Sequence, residues 1–548
     1  MKKKWLLFIA VSFIIFVLAA CTANENAGEE QPESNAEGDT TEEAGGEEKI
    51  LKLNNQQEPT SFDPAIGFDS VSWNPLNNLL EGLTRLDSSH QPQPAMAEEW
   101  EVSEDGKTYT FHLRENANWS NGDPVVAEDF VYAWKRLLDP ETGSSAAFLG
   151  YFIKGGEAFN NGEGSVEDLG LTAVDEKTFK VELESPTGYF LHVVTNPAFF
   201  PVNHKVAEEN PEWHAEASSF VANGPFKLES WEHDSEMVFA KNEEYWDAEN
   251  VPLDGVEWAM VNEINTEYQM FERGDLDATE IPAEMSDQLI DGENVQIVDQ
   301  GGLDFYRFNV TEEPFQNKKI RQAFALAVNR QNIAEFVVKN KVEPAYGFVS
   351  PGFENPSGED FRDVNDELVE FNPEKAKQLL EEGMKEEGYD ELPAITLSYN
   401  TDDVNKAVAE ALQGMFSENL GVEVTLENTE WNVFQEDQKA LEHQLSRSSF
   451  LYDYADPVNF LESFITGSYM NRTGWSNESY DELITKLKAE ADEEKRWEYM
   501  YEAEKLLAEE MPAFPVRYYN QVEILQEGIT NLVRHPVGYL ELKHTDKQ

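Results

Sequence analysis

Apolar and polar residues alternate along several short stretches, and elsewhere they recur at the three-to-four spacing of a helix face. Lys107–Arg114 (KTYTFHLR) and Thr178–Leu183 (TFKVEL) alternate at period two, which predicts strands with one buried face. Leu51-Lys52-Leu53 reads as a shorter strand, followed by a turn at Glu58–Pro64 (EPTSFDP). Further on, Asn372-Pro373-Glu374 supplies an N-cap, a first-turn proline and an acid ahead of AKQLLEEGMKEEG, where the glycines mark stops. Ala394–Tyr399 then reads as a strand, Val404–Asn419 as a helix ended by Gly421, and Val422–Glu427 as a second strand, which together make a β-α-β unit. Tyr480–Glu490 and Glu493–Glu510 carry amphipathic helical spacing, closed by Pro512 and followed by a short strand over Phe514–Tyr519. Several α/β lobes without one long alternating series favour a multi-lobe binding protein over a barrel.

The first residues have another pattern. Three lysines precede an apolar run from Trp5 to Ala20, short for a membrane span and well proportioned for a secretory signal over residues 1–20. The run closes Leu18-Ala19-Ala20-Cys21, which resembles a bacterial lipoprotein signal, in which the thiol of the next cysteine carries a diacylglycerol. Two acyl chains anchor durably where one does not. Residues 21–48 then form the lipidated cysteine and a tether rich in Gly, Ala and Glu, with ten acids and no base. Such a segment cannot build a core, and as a flexible coil it spans roughly 30 Å.

Composition narrows the function. The chain has 548 residues, 41 Lys plus Arg against 107 Asp plus Glu, and a formal charge of -66. Without the signal lysines and the tether acids the remainder still carries about −59. Such a surface repels nucleic acid and fits an extracytoplasmic protein in a saline or alkaline setting. One Cys rules out an internal disulfide and a Cys-rich metal site. No phosphate loop, G-x-S-x-G elbow or H-E-x-x-H motif is present, so neither an enzyme nor a cofactor or metal is expected.

A longer constellation carries more. Pro94–Trp100 (PAMAEEW), Tyr109–Arg114 (YTFHLR), Trp119–Val125 (WSNGDPV), Asp129–Trp134 (DFVYAW), Asn223–Leu228 (NGPFKL), Asn242–Asp247 (NEEYWD) and Ile320–Arg330 (IRQAFALAVNR) together resemble family 5 of the bacterial extracellular solute-binding proteins. The likeness is strongest to oligopeptide-binding lipoproteins that deliver peptides to an ABC importer, and it runs through essentially all residues after the tether.

The resemblance implies a two-lobed periplasmic-binding-protein-like α/β fold with a hinge and an extra inserted lobe. It places a discontinuous domain I at 49–70, 190–288 and 520–548, an inserted domain II at 71–189 and domain III at 289–519. It also implies a monomer, lipid-anchored on the outer face of the cell membrane, whose partners are an oligopeptide and a membrane permease.

Matching segments give the site residues. Ser446–Pro457 (SRSSFLYDYADP) matches the segment that clamps the ligand, with Asp453 at the position that binds the peptide α-amino group. Arg447 lies six residues earlier, and even spacing on one strand would put both on one face, suited to the two ends of a short peptide. Glu58 matches an acid flanking the ligand backbone from the opposite lobe, with Glu58–Ser61 running beside the peptide as a strand. Amides at Thr60 or Ser61 would meet ligand carbonyls, while Ser449, Phe450 and Leu451 supply the other ladder. Tyr132 and Trp431 match aromatic walls of side-chain pockets, and Phe450 stands where some relatives have Trp. Where some relatives place a His and a Lys to reach peptide carboxyl termini, this chain has Asn405 and Ala325. A binding protein of the same fold for a metal chelate or a sugar, and a secreted enzyme or adhesin, are the alternatives.

Overall fold

A computed structural model describes residues 48–548 other than 469 and 491. The signal at 1–20, Cys21 and the tether up to residue 47 lie outside the described residues.

Three sheets organise the chain. In the first, Ile50–Asn54 pairs in parallel with Gly255–Ala259, followed by Glu236–Lys241 and Phe226–Glu232 in antiparallel order. Leu51 and Leu53 point inward from the first of these strands. The second sheet is built wholly within residues 97–182, in the order Ala97–Val102, Thr108–Leu113, Thr178–Glu182, Leu171–Asp175. Its inward residues Tyr109, Phe111, Phe179 and Val181 are buried, and the helix Ala127–Leu138 seals them, with Trp134 set edge-on against Phe179 at 5.0 Å between centroids. The Glu58–Pro64 turn is fixed to that helix by a two-pronged pair, Arg136 Nη1 and Nη2 on Asp63 Oδ1 and Oδ2 at 2.9 and 2.7 Å.

The third sheet has six strands, in the order Ala278–Glu280, Ala513–Leu525, Val295–Phe308, Leu445–Leu451, Ile395–Asn400, Val424–Thr429. The last three run parallel to one another, and the rest are antiparallel to their neighbours. One face packs Leu303, Phe305 and Phe450 against Phe460 and Phe464, with Phe450 and Phe460 edge-on at 5.0 Å.

Local signals account for most elements. Asn372 accepts from the Lys375 amide and Pro373 opens the helix Pro373–Glu387, as its sequence predicts. Gly383 does not stop this helix. A Cβ there would lie 2.7 Å from Ile320 Cγ1 and 2.9 Å from Asn317 Oδ1, so the glycine permits a close helix approach, while Gly388, at φ 76°, ends the helix. The β-α-β unit is observed, with Asp402 capping Asp403–Leu420 and Gly421 ending it.

The strand expected at 514–519 is 13 residues long. It continues through polar Asn520, Gln521 and Glu523 because Val295–Gln300 pairs with it throughout. At Gly301 and Gly302 the register of this pair breaks. A Cβ on Gly302 would meet Leu451 Cδ2 and Tyr519 Cδ2, each at 2.7 Å, so glycine eases the convergence of three strands there. The chain ends also meet: Lys49 Nζ reaches Asp546 Oδ1 at 2.5 Å, and Lys547 Nζ donates to the Ile50 carbonyl at 2.9 Å and to Asp277 Oδ2 at 2.7 Å. Among the described residues no helix is long and apolar enough to cross a membrane.

Gly302→Val is expected to destabilise the fold by about 1–3 kcal/mol through overpacking at this convergence. Denaturant unfolding monitored by tryptophan fluorescence checks it.

Candidate functional site

In the parallel part of the third sheet, the carboxyl ends of the strands open onto one region, the usual place for a ligand crevice in such units. Val404 begins one helix there, Trp431 begins another, and Leu451 closes its strand. All three are exposed, Leu451 to 54%. An apolar trio bared at one edge contrasts with the buried face of the same sheet.

The strand Leu445–Leu451 supplies the backbone edge. Tyr452 N–H donates to the Gly301 carbonyl at 3.0 Å, and the Arg447 carbonyl accepts from Gln438 Nε2, also at 3.0 Å. Main-chain groups alternate along a strand, so residues 447, 449 and 451 turn theirs away from Val295–Phe308. On that side Ile395–Asn400 pairs only with Leu445 and Ser446. Ser449 and Leu451 therefore present amides and carbonyls to an edge that no described strand covers.

The same alternation corrects one expectation. Arg447, Ser449 and Leu451 share the open face, and Phe450 points the other way into the core, against Tyr452 and Phe460. It does not line the crevice.

A second correction concerns the pair of charges. The strand ends at Leu451 because the Asp453 amide leaves the ladder to donate to Asn459 Oδ1 at 2.8 Å. Asp453 thus stands beyond the strand, and the even-spacing argument does not place it on one face with Arg447. Its carbonyl accepts from Asn196 Nδ2 and the Tyr539 hydroxyl, both at 3.0 Å, which pins the segment. Its carboxylate has the Asn459 amide at 3.5 Å and, among the described residues, no Lys, Arg or His within ion-pair distance. Burial pushes this carboxyl up to about 7, the Glu462 carboxylate adds to the rise, and the Asn459 hydrogen bond opposes it.

Arg447 is buried and occupied. Its Nε donates to Asp304 Oδ1 at 2.9 Å, Nη2 to the Tyr519 hydroxyl at 2.7 Å and Nη1 to Asn400 Oδ1 at 3.3 Å. Arg517 Nε takes the other oxygen of Asp304 at 3.2 Å. Asp304, Arg517, Tyr519, Asn400 and Asn459 are not singled out by the sequence. A lone charge inside an apolar strand, as in Leu303-Asp304-Phe305 and Val516-Arg517-Tyr518, is the one signal it offers for Asp304 and Arg517.

Glu58 is fixed by the turn after Phe226–Glu232: Oε1 pairs with His233 Nδ1 at 2.6 Å and Oε2 accepts from the Asp234 amide at 2.9 Å. The hydrogen bond to Glu58 raises the His233 imidazole. Glu58–Ser61 pairs with no described strand. Thr60 donates its amide to Ser72 Oγ at 2.9 Å, and the Ser61 amide points to the same oxygen at 3.5 Å. Tyr132 sits half-buried on its helix, and burial raises its phenol. Asn405 is buried and donates to Asn400 Oδ1 at 3.2 Å, while Ala325 lies fully in the core. Among the described residues, no group of three or more His, Cys, Asp or Glu is arranged to hold a metal.

Residues 91–472 match the sequence profile of the bacterial extracellular solute-binding proteins, family 5. The chain belongs to this family. Its similarity to the dipeptide-binding protein DppE of Bacillus subtilis (strain 168) is 57% identity over 546 residues, 100% of this chain and 99% of the other. The family's two-lobed α/β fold extends to solved structures. Listeria monocytogenes OppA bound to peptide matches with TM-score 0.73 and 31% identity over 92% of this chain and 99% of that one. The unliganded open form of the murein tripeptide-binding protein MppA matches with TM-score 0.79 and 28% identity over 92% and 98%.

The position of Asp453 fixes a pH signature. Between about pH 4 and 7 the native state holds a proton that the unfolded chain has released, so stability is lost as pH rises through that window. Asp453→Asn is therefore expected to be more stable than wild type at pH 8 by more than ~1 kcal/mol and no more stable at pH 4, as read from urea midpoints at both values.

Proposed function

We propose that this protein captures oligopeptides by their amino terminus and main chain and delivers them to the permease of an ABC importer. The observation that carries the reading is the half-buried Asp453 carboxylate, without a cation among the described residues, placed just past the uncovered backbone edge of Ser449 and Leu451. A peptide ammonium supplies the missing charge, and its amides and carbonyls extend the ladder as an added strand. Main-chain pairing ignores side-chain identity, which suits a broad range of peptides. The names of the relatives, a dipeptide-binding protein and an OppA bound to peptide, support the same ligand class.

Trp431, Val404 and Leu451 offer apolar walls on one side, and Tyr132 and Glu58 approach from the other. In this reading residues 49–70, 190–288 and 520–548 form one jaw, residues 289–519 the second, and residues 71–189 a lobe inserted in the first. Peptide draws the jaws together because the closed state gains contacts from both. Residues 1–20 are removed, Cys21 is lipidated, and residues 22–48 tether a monomeric receptor to the outer face of the membrane. The peptide is carried intact.

Free peptides are expected to bind wild type at least about 30-fold more tightly than their N-acetylated forms, and Asp453→Asn should abolish the difference, the usual scale for removing one side of a desolvated charge pair. Wild-type affinity should fall below pH ~7 as Asp453 takes up a proton and again above ~8 as the peptide amine loses its own. Calorimetric titration across pH 5–9 measures both limbs. Equal affinity for free and acetylated peptides would remove the ammonium anchor and favour a non-peptide ligand. Cys21→Ala should move the protein from the membrane fraction to the medium, or leave it unprocessed, while peptide binding is retained. Recovery of the variant in processed, membrane-bound form would exclude Cys21 as the anchor.

A further inference from the structure

The charges beneath the open strand edge do not balance. Asp304, Arg447 and Arg517 are all buried, at 1, 7 and 9% exposure. One carboxylate is shared by two guanidiniums, Arg447 Nε on Oδ1 at 2.9 Å and Arg517 Nε on Oδ2 at 3.2 Å. Tyr519 adds no negative charge, because burial pushes its phenol up to about 12. The cluster therefore carries one surplus positive charge, which is costly in an interior unless an anion joins it.

The two arginines differ in what they have left to give. Arg447 uses Nε, Nη1 and Nη2 on Asp304, Asn400 and Tyr519. Arg517 uses Nε alone. Its guanidinium lies over the Tyr519 ring at 4.9 Å, and neither terminal nitrogen hydrogen-bonds another described residue. A planar fork with both prongs uncommitted suits a carboxylate. Asp304 stands opposite both Ser449 and Arg517 in the ladder, so this fork belongs to the face that carries the uncovered strand edge.

We propose that Arg517 is a specificity-determining residue that takes a ligand carboxylate, so that the protein selects peptides presenting an anionic group a few residues from the amino terminus. Arg447 is then a positioning residue that holds Asp304 and Tyr519 around it. The inference rests on the peptide reading above. Ser449 lies in the strand two residues before its end at Leu451, and Asp453 stands two residues past that end, so the anionic group sought lies a few residues from the amino terminus, the range of a tripeptide or tetrapeptide.

The test uses Ala-Ala-Ala and Ala-Ala-Ala-Ala, each as free acid, C-terminal amide and N-acetyl acid, in calorimetric titrations at pH 7.5. Ala-Ala-Glu-NH2 distinguishes a side-chain carboxylate from a terminal one. Wild type should prefer acid over amide by about tenfold or more at one of the two lengths, the scale of one desolvated charge contact. Arg517→Gln should reduce that preference to less than about threefold while keeping the discrimination against N-acetyl peptide, and Arg517→Lys, which keeps the charge, should retain the preference. If wild type binds acid and amide equally at both lengths, and Ala-Ala-Glu-NH2 no better than Ala-Ala-Ala-NH2, the proposal fails whatever the variants do. An undiminished acid preference in Arg517→Gln also overturns it. Loss of the N-acetyl discrimination in wild type would instead mark failure of the ammonium anchor, so the two readings fail separately.

Discussion

The antiparallel pairing of Val295–Phe308 with Ala513–Leu525 is the constraint on which the binding face depends. It brings Asp304 and Arg517 together from positions 213 residues apart, and it sets Leu445–Leu451 beside the first of these strands. The bulge at Gly301 and Gly302 lies in the middle of this pairing, where it receives Tyr452 and stops the ladder just before Asp453. A bulge ends strand pairing and redirects the chain beyond it. Beside it the strand Leu445–Leu451 ends, and the Asn459 side chain takes the Asp453 amide, so a carboxylate stands past the sheet rather than within it.

That carboxylate is expensive to hold. A half-buried Asp with no cation beside it among the described residues remains charged only at a cost, and the rise of its titration toward neutrality expresses that cost. Asn459, Asn196 and Tyr539 position its backbone and carboxyl without neutralising it, so a bound ammonium is rewarded with the full interaction. The arginine cluster is the mirror case, a surplus of positive charge held a few residues away. The strongly acidic exterior acts at longer range, favouring the approach of cationic groups and weakening as salt is added.

The sequence disclosed much of the fold and less of the site. Helices with caps, such as Pro373–Glu387 after Asn372 and Asp403–Leu420 before Gly421, are legible because their determinants are local. The long crossing strand reads at less than its length because Asn520, Gln521 and Glu523 break apolar alternation, and only a partner two hundred residues away makes them strand. Phe450 reads as a crevice wall beside Arg447, but adjacent residues on a strand face opposite ways. Thr60 and Ser61 read as free donors along the chain, and only the Ser72 hydroxyl, brought beneath them by a helix, shows them engaged. Arg447 can be picked out by segment matching, yet its commitment to Asp304, Asn400 and Tyr519 depends on three other strand segments and has no trace near residue 447.

The meeting of the two chain ends bears on how the protein is made. Lys49 and Ile50 are held by Asp546 and Lys547, and Lys547 also binds Asp277, so the first sheet has its terminal contacts only when the last residues are in hand. Contacts of such sequence separation form slowly, because the intervening chain must be ordered first. The first sheet is consequently the last part to be completed, whereas the sheet at 97–182 is made of near neighbours and can form early. A chain still being made would keep its first strand unlocked until the last of these residues had emerged.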